Sequence, residues 1–287
     1  MSLSVAAVKR PPATRIAVTS GKGGVGKTSL TVNLGVAMAR LGHRVGILDA
    51  DFALGNIDVM LGLTPAAHLG AVLDGTTGVR NITIDGPAGV RVIPAGSGVR
   101  TLTTLDDSRW ARLVDAVDEV GRDLDFLLFD TATGIGDNVL DVIGLADYVL
   151  VVTSFEPAAV VDAYALIKLV SAADTAKPIG IVVNAARDPN EGELVFRQIS
   201  LAADRFLRRE IRYDGHVLED RLFKDCSLAQ TPVATGAQGG PASRDIKRLA
   251  SRLSAARPPA PGVRTPPALH VVPPPAAPST PSPTRWA

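Results

Sequence analysis

Eight residues near the amino terminus have the types and spacing of a loop that binds phosphate groups. They fit the pattern G-x-x-x-x-G-K-[ST] and read Gly21-Lys22-Gly23-Gly24-Val25-Gly26-Lys27-Thr28. In such a loop the glycines let backbone N–H groups approach phosphate oxygens without side-chain clashes. Lys27 is predicted to hold the β- and γ-phosphates of a nucleotide, and the Thr28 hydroxyl is predicted to bind Mg²⁺.

The elements predicted on either side of this loop are those that phosphate binding needs. An apolar run predicted to be a strand, Ile16–Thr19, precedes it, and a predicted helix, Thr28–Leu41, follows it. The amino-terminal end of that helix carries a partial positive charge that favours phosphate. A chance match in a turn and a dinucleotide-binding loop are the alternatives, but the second leaves Lys27 and Thr28 without a role. We therefore predict ATP or ADP with Mg²⁺, bound through Gly23, Gly24, Val25, Gly26, Lys27, Thr28 and Ser29.

Three carboxylates follow two other apolar runs that are predicted to be strands. Asp49 and Asp51 come after Val45–Leu48, and Asp130 directly follows Phe126–Phe129. Because the carboxyl ends of parallel strands face the ligand crevice of an α/β sheet, we expect these side chains near the phosphates. Helix capping or an ordinary loop is the alternative for Asp49 and Asp51.

Further apolar runs alternate with helical patterns along the chain. Runs that are apolar throughout are buried on both faces of a sheet, and their alternation with helices implies right-handed crossovers between parallel strands. The predicted fold is therefore a three-layer α/β fold, with a mostly parallel sheet flanked by helices. The remaining predicted strands are Val90–Ile93, Val149–Val152 and Ile179–Val183, and the remaining helices are Asn138–Leu145, Ala158–Val170 and Glu193–Leu207.

The overall composition excludes several classes of protein. Hydrophobic residues make up 46% of the chain, which is enough for a large core. The net charge of +1 creates no overall electrostatic attraction to nucleic acid or to a membrane. The single cysteine, Cys226, excludes a disulfide framework and favours a reducing cytoplasm. No uninterrupted apolar stretch reaches the roughly 18 residues of a membrane-spanning helix.

Composition also divides the chain into a folded domain and two flanking segments. Eleven of the 31 residues from 257 to 287 are proline. Such a stretch has little to bury and few backbone donors, so a disordered tail is predicted for 257–287. Residues 1–12 are predicted to be a disordered arm, without the long apolar run of a signal peptide. The folded domain is predicted to span 13–256.

The second lysine of the phosphate loop, Lys22, resembles the first lysine of the deviant Walker A loop in the MinD/ParA family of ATPases. In that family this lysine reaches across a dimer to the partner's nucleotide and acts like an arginine finger. The resemblance implies an ATP-dependent homodimer, the same three-layer P-loop fold, and catalytic roles for Lys22 and Lys27. A solvated loop lysine is the alternative for Lys22.

The resemblance also gives roles to residues that follow the strands. It implies that Asp51 positions the attacking water, that Asp49 supports the Mg²⁺ shell, and that Asp130 holds Mg²⁺ through water. Asn184, after Ile179–Val183, stands where the family has an asparagine that contacts the base. A turn asparagine is its alternative. The glycine-rich segment Thr131–Gly136 is interpreted as switch II, which senses the γ-phosphate.

Three longer stretches are similar to the flagellar-number regulators of the FlhG/FleN type within that family. Asp49–Gly62 resembles switch I, Asp130–Leu140 resembles switch II, and Phe155–Lys168 resembles their E-P-x-x-x-x-D-A-Y-A-L-I-K helix. The segment Asp225–Ser243, with Gln230-Thr231-Pro232, fits their carboxyl-terminal region. The resemblance covers residues 15–253.

Two features depart from these regulators. Met1–Thr14 has no counterpart of the D-Q-A-x-x-L-R motif with which they stimulate a partner GTPase. A proline-rich tail stands where they tend to carry a basic amphipathic membrane helix. The nearest candidate for such a helix, Ser243–Arg257, is predicted instead to pack on the domain through Ile246, Leu249, Ala250 and Leu253.

Taken together, these patterns predict a MinD-like ATPase switch. It dimerises on ATP, hydrolyses it to ADP and phosphate, and regulates flagellar number or placement. The expected partners are a second copy of the chain and a flagellar GTPase, a switch complex or a transcription regulator. The expected location is the cytoplasm, and a peripheral contact with the inner face of the plasma membrane stays open.

Other members of the fold remain as alternatives. A ParA-type chromosome or plasmid partition ATPase would bind DNA through basic residues such as Arg205, Arg208, Arg209 and Arg212, although DNA is not the expected partner. A MinD-like regulator of the division site is the second alternative. An iron–sulfur carrier would need paired cysteines, and a tyrosine kinase of this fold would need a carboxyl-terminal tyrosine cluster that the sequence lacks.

Overall fold

The computed structural model describes residues 11–96, 105–235 and 239–256. Strands and helices alternate along the chain. The strands are β1 Thr14–Ser20, β2 Val45–Ala50, β3 Ile84–Asp85, β4 Arg91–Ile93, β5 Phe126–Thr133, β6 Tyr148–Thr153, β7 Ile179–Ala186 and β8 Arg212–Leu218. The helices are α1 Lys27–Arg40, α2 Ile57–Met60, α3 Leu69–Leu73, α4 Val79–Ile82, α5 Asp107–Gly121, α6 Asp137–Gly144, α7 Pro157–Ala173, α8 Pro189–Leu207, α9 Arg221–Leu228 and α10 Pro241–Ala255.

The strands form one sheet. Within the described ranges its order is β3-β4-β2-β5-β1-β6-β7-β8. Every neighbouring pair is parallel except the short edge pair of β3 and β4. β1 lies in the middle of the sheet and emerges beside β5 and β6, so the loop that follows it opens at the carboxyl edge, where ligands bind in such folds.

Helices cover both faces of the sheet and complete three layers. Along β5, Leu127 and Phe129 point into an apolar cluster shared with α5, α6, α7 and α8. Phe126 and Leu128 point into the opposite cluster, shared with α1 and α10. Since successive strand residues face opposite sides, a strand buried on both sides must be apolar at every position. The predicted α/β fold with a mostly parallel sheet is confirmed.

The predicted elements occur with small shifts of their ends. The six predicted strands correspond to β1, β2, β4, β5, β6 and β7. β5 continues through Thr133 because Thr133 pairs with Ser20 of β1, so much of the segment interpreted as switch II is strand. The glycine-rich turn is limited to 134–136. β3, β8 and the helices α2, α3, α4, α5 and α9 were not predicted from the sequence.

α10 is the predicted amphipathic helix near the end of the domain. Its apolar side chains Ile246, Leu249, Ala250 and Leu253 are all buried, at 4% exposure or less. They pack into the cluster formed by α1 and the sheet. The prediction that this helix packs on the domain is therefore confirmed. Among the described residues no helix is both long and apolar enough to span a bilayer.

The segments predicted to flank the domain fall almost entirely outside the described residues. Of the arm predicted for 1–12 only Pro11 and Pro12 are described, and none of the tail predicted for 257–287 is.

Candidate functional site

The phosphate loop connects β1 to α1 and owes its shape to glycine. Gly24 and Gly26 have φ angles of 81° and 85°, a left-handed conformation that costs other residue types energy. Gly26 is the N-cap of α1 and offers no side chain to its first turn. The N–H groups of that turn therefore face the cleft, where they form an anion-binding site.

Lys27 is buried at the start of α1 and reaches the end of β5. Its Nζ lies 2.7 Å from Asp130 Oδ1 and 3.3 Å from Thr28 Oγ1. The Thr31 hydroxyl also donates to Asp130 Oδ1, at 3.0 Å. The structure therefore brings together three residues that the sequence predicted to handle phosphate and metal, Lys27, Thr28 and Asp130.

Asp49 lies next to Asp130 because β2 and β5 pair these residues in register. Asp49 is 1% exposed, and its Oδ2 accepts hydrogen bonds from the N–H groups of Asn56 and Ile57 at 2.9 and 3.1 Å. Burial, with a smaller contribution from the charge of Asp130, raises the pKa of Asp49 to about 7. Two buried carboxyl groups on neighbouring strands thus lie within the electrostatic influence of Lys27, which pairs with Asp130.

The donor set fits Mg²⁺ held together with phosphates. Asp130 Oδ2 is buried and has no hydrogen-bond partner among the described residues, so one carboxylate oxygen is available to a cation or its water. The described residues contain no cluster of three or more His, Cys, Asp or Glu side chains that could hold a metal by themselves. Mg²⁺ is usually bound through one or two carboxylates plus substrate phosphates, which is what this arrangement offers.

Asp51 lies just beyond the end of β2. It is half-buried, and its Oδ1 accepts a hydrogen bond from the Leu54 N–H at 3.0 Å. Its own N–H donates to Asp49 Oδ1 at 3.1 Å. Asp51 thus belongs to the same carboxyl-edge cluster, and its role with water stays a prediction.

Lys22 lies at the outer rim of the loop and pairs with Glu156 of its own chain. Glu156 is the N-cap of α7, directly before Pro157. Gly21 allows the loop to approach α7, since a Cβ there would overlap the carbonyl group of Asp162. Sequence reasoning missed Glu156, although the Glu-Pro pair at a helix start was a visible signal.

Asn184 is a buried residue near the end of β7, and its side chain contacts the phosphate loop. Its Nδ2 donates to the Val25 carbonyl at 2.8 Å, and the side chain fills the space that a Cβ at Gly26 would need. The expected contact between Asn184 and a base stays a prediction. Ser29, in the first turn of α1, lines the same cleft.

The loop opens into a cleft of about 700 Å³ between the phosphate loop and the end of β8. Its far wall is α9. This wall was missed because neither β8 nor α9 was predicted. The wall residues are Leu218, Glu219, Asp220, Phe223, Lys224, Ser227 and Leu228. A cleft of this size, with an anion site at one end and a wall of mixed apolar and charged side chains at the other, suits a nucleotide.

Comparisons with known proteins agree with this geometry. The family model ParA, described as NUBPL iron-transfer P-loop NTPase, matches residues 12–198. The antiactivator FleN of Pseudomonas aeruginosa is 39% identical over 249 residues, which are 87% of this chain and 89% of FleN. The flagellum site-determining protein YlxH of Helicobacter pylori is 32% identical over 212 residues, which are 73% of this chain and 71% of YlxH.

Solved structures share the fold. The MinC:MinD cell division complex of Aquifex aeolicus contains a chain that is 28% identical, with a TM-score of 0.69, covering 86% of this chain and 98% of that one. MinD of Pyrococcus horikoshii, solved with Mg-ADP, superimposes with a TM-score of 0.72 at 19% identity, covering 84% of this chain and 96% of that one. The family model and these relatives show that the chain belongs to the ParA/MinD family of P-loop ATPases, and its phosphate loop and paired carboxylates agree with this.

Proposed function

We propose that this protein is an ATP-driven switch that dimerises with Mg-ATP, hydrolyses it and regulates the number or placement of flagella. The observation that carries the proposal is the phosphate loop with two lysines, Lys27 beside buried carboxylates and Lys22 at the outer rim. The flagellar assignment is supported by similarity to FleN and YlxH over most of the chain.

In this proposal each residue of the cleft has a separate role. Lys27 exchanges Asp130 for the β- and γ-phosphates, and the loop N–H groups bind the phosphate oxygens. Thr28, Asp49 and Asp130 would hold Mg²⁺, which would neutralise phosphate charge. Asp51 orients the attacking water.

Lys22 completes the site of a second copy. It leaves Glu156 and reaches the partner's phosphates, so two-fold symmetry gives each site one lysine from the other subunit. Asn184 fixes the phosphate loop and contacts the base. Hydrolysis then ends the dimer and resets the switch.

A DNA-partition function is the less favoured alternative, because the basic cluster considered for it is partly used inside the chain. Arg209 donates to the carbonyl groups of Asp174, Thr175 and Lys177. Arg212 Nε donates to Asp214 Oδ1 at 2.7 Å. Arg205 and Arg208 remain as exposed cations, too few for strong binding to phosphate backbones.

The proposed domain spans 13–256, between an arm of 1–12 and a tail of 257–287. We place the protein in the cytoplasm. A membrane contact through α10 would require its buried apolar face to leave the core, so any peripheral contact with the plasma membrane involves another segment. A flagellar GTPase, a switch complex or a transcription regulator is the proposed protein partner.

The function is tested by deleting the gene in the source organism and counting flagella, with chromosome segregation and cell length scored in the same cells. A changed number or position of flagella, with normal segregation and division, is the expected result. Unchanged flagella with missegregated chromosomes would favour the partition alternative. Unchanged flagella with misplaced septa would favour a division-site regulator.

A further inference from the structure

Gln230 ends α9 in a backbone conformation that is costly for its residue type. The Gln230 N–H donates to the Ser227 carbonyl at 3.2 Å and the Thr231 N–H to the Cys226 carbonyl at 3.0 Å, the two hydrogen bonds of a Schellman motif. Gln230 holds the left-handed position of that motif, with a φ of 53°. Glycine usually fills this position, and asparagine sometimes does. Contacts of the Gln230 side chain therefore have to offset the conformational energy of this left-handed backbone.

That side chain connects α9 to α2. Nε2 of Gln230 donates to the Val59 carbonyl at 2.6 Å. Val59 lies in the single turn of α2, and its carbonyl also accepts from the Gly62 N–H at 3.1 Å, so Gln230 supplies it with a second donor. Gly62, with a φ of 63°, lets the chain turn directly beneath Gln230. Gln230 thus joins the carboxyl end of α9 to the carboxyl end of α2.

The other end of α2 is fixed to the candidate metal site. Asp49 Oδ2 accepts from the N–H groups of Asn56 and Ile57, which begin α2. The residues between Asp49 and α2, including Asp51, are therefore held at both ends. A change in the position of α2 moves the segment that carries Asp51.

The segment that follows α9 is hydrogen-bonded to α1. The segment that follows Gln230 is anchored to α1 at Ala234, whose N–H donates to Asn33 Oδ1 at 3.1 Å. The Ala234 carbonyl accepts from Arg40 at 2.6 Å. α9 lines the cleft, and the segment that directly follows Gln230 is therefore held on α1.

We propose that Gln230 is a positioning residue that couples the nucleoside end of the cleft to the segment carrying Asp51. A nucleotide seated against α9 restrains α2 through the Gln230–Val59 hydrogen bond and thereby orders residues 51–63. The inference rests on the proposed function for its nucleotide. It assigns a purpose to the Gln-Thr-Pro stretch, which the proposed mechanism otherwise leaves unused.

The test is hydrogen–deuterium exchange of the full-length protein with and without saturating Mg-ADP. In the parent, ADP should slow exchange in both 221–228 and 57–63. In Gln230→Gly, protection of 221–228 should persist, while protection of 57–63 should fall about fivefold, the equilibrium factor of one net hydrogen bond. Without nucleotide the glycine variant should melt no lower than the parent, because glycine relieves the backbone strain.

Gln230→Glu is the matched control for side-chain size. It keeps the length of the side chain but replaces the donor with a carboxylate facing the Val59 carbonyl, so it should lose the protection of 57–63 as the glycine variant does. Equal protection of 57–63 in the parent and in both variants would overturn the inference. In the parent, protection of 221–228 alone would overturn it and leave the proposed function standing. Protection of neither segment would also overturn the inference, and the proposed function would be refuted if Mg-ADP left the phosphate loop, 21–28, unprotected as well.

Discussion

The ammonium group of Lys27 lies 2.7 Å from Asp130 Oδ1, and both side chains are almost completely buried. This pair joins the start of α1 to the end of β5, where Asp130 lies opposite Asp49 of β2 in the strand register. An ion pair of this kind is poised to exchange partners, because a nucleotide supplies anions for Lys27 and a metal ion supplies a cation for Asp130.

Lys27→Ala should therefore weaken both folding and nucleotide binding. Breaking a buried pair from one side leaves an uncompensated charge and costs about 3 kcal/mol in the free energy of unfolding. Calorimetry should show the loss of most affinity for Mg-ATP, and urea unfolding should show the loss of stability.

The double variant Lys27→Ala/Asp130→Asn separates these two effects. Removing the second charge should recover much of the stability but none of the affinity for Mg-ATP. A Lys27→Ala protein that binds Mg-ATP as tightly as the parent would contradict the assignment of the phosphate loop.

The raised pKa of Asp49 predicts a dependence of stability on pH in protein free of nucleotide and Mg²⁺. The pKa of Asp49 rises from 3.8 to about 7 because the side chain is buried. The folded protein then holds this proton more tightly than the unfolded chain does. Its contribution is fully present below about pH 4 and is lost as the pH rises through about 7.

The free energy of unfolding should accordingly fall between about pH 4 and pH 7, and Asp49→Asn should flatten this part of the profile. Urea unfolding at a series of pH values measures it. An Asp49→Asn protein with the same slope as the parent would show that another group is responsible.

Asp51→Ala should slow hydrolysis without disturbing the fold or the dimer. The Asp51 side chain accepts a hydrogen bond from Leu54 within its own loop, so its removal costs little elsewhere. Loss of the group that orients water should reduce the rate by about a hundredfold or more. Phosphate release measures the rate, and light scattering with ATP measures the dimer. A monomeric Asp51→Ala protein in ATP would count against this role.

The buried parts of the fold could be predicted because their sequence pattern is strong. Strands such as Phe126–Phe129 are apolar at every position, and glycines and carboxylates follow them where a parallel sheet needs them. β8 was missed because it is an edge strand with Arg212, Asp214 and His216 in its sequence. Its burial depends on tertiary contacts, such as the 2.5 Å hydrogen bond from Tyr148 to Asp214.

α5 was missed although its pattern is readable. Asp106 caps it, and Leu113, Ala116, Val117 and Val120 recur at helical spacing on its buried face. Within the site, the positions of Lys27, Asp49 and Asp130 follow from the strand ends. The contacts of Lys22 with Glu156 and of Asn184 with Val25 join residues far apart in the chain, so only the structure could supply them.

The central claim is that Lys22 acts in the site of a second copy, and mixing two inactive variants tests it most directly. Lys22→Ala alone should bind ATP as a monomer but dimerise weakly and hydrolyse slowly, and Asp51→Ala alone should dimerise but hydrolyse ATP at least about a hundredfold more slowly than the parent. In a mixed dimer, the Lys22→Ala subunit keeps its own Asp51 and receives Lys22 from its partner. One working site should reappear, so the ATPase rate of the mixture should exceed that of either variant. If heterodimers form and no activity returns, Lys22 acts within its own subunit and the claim is wrong.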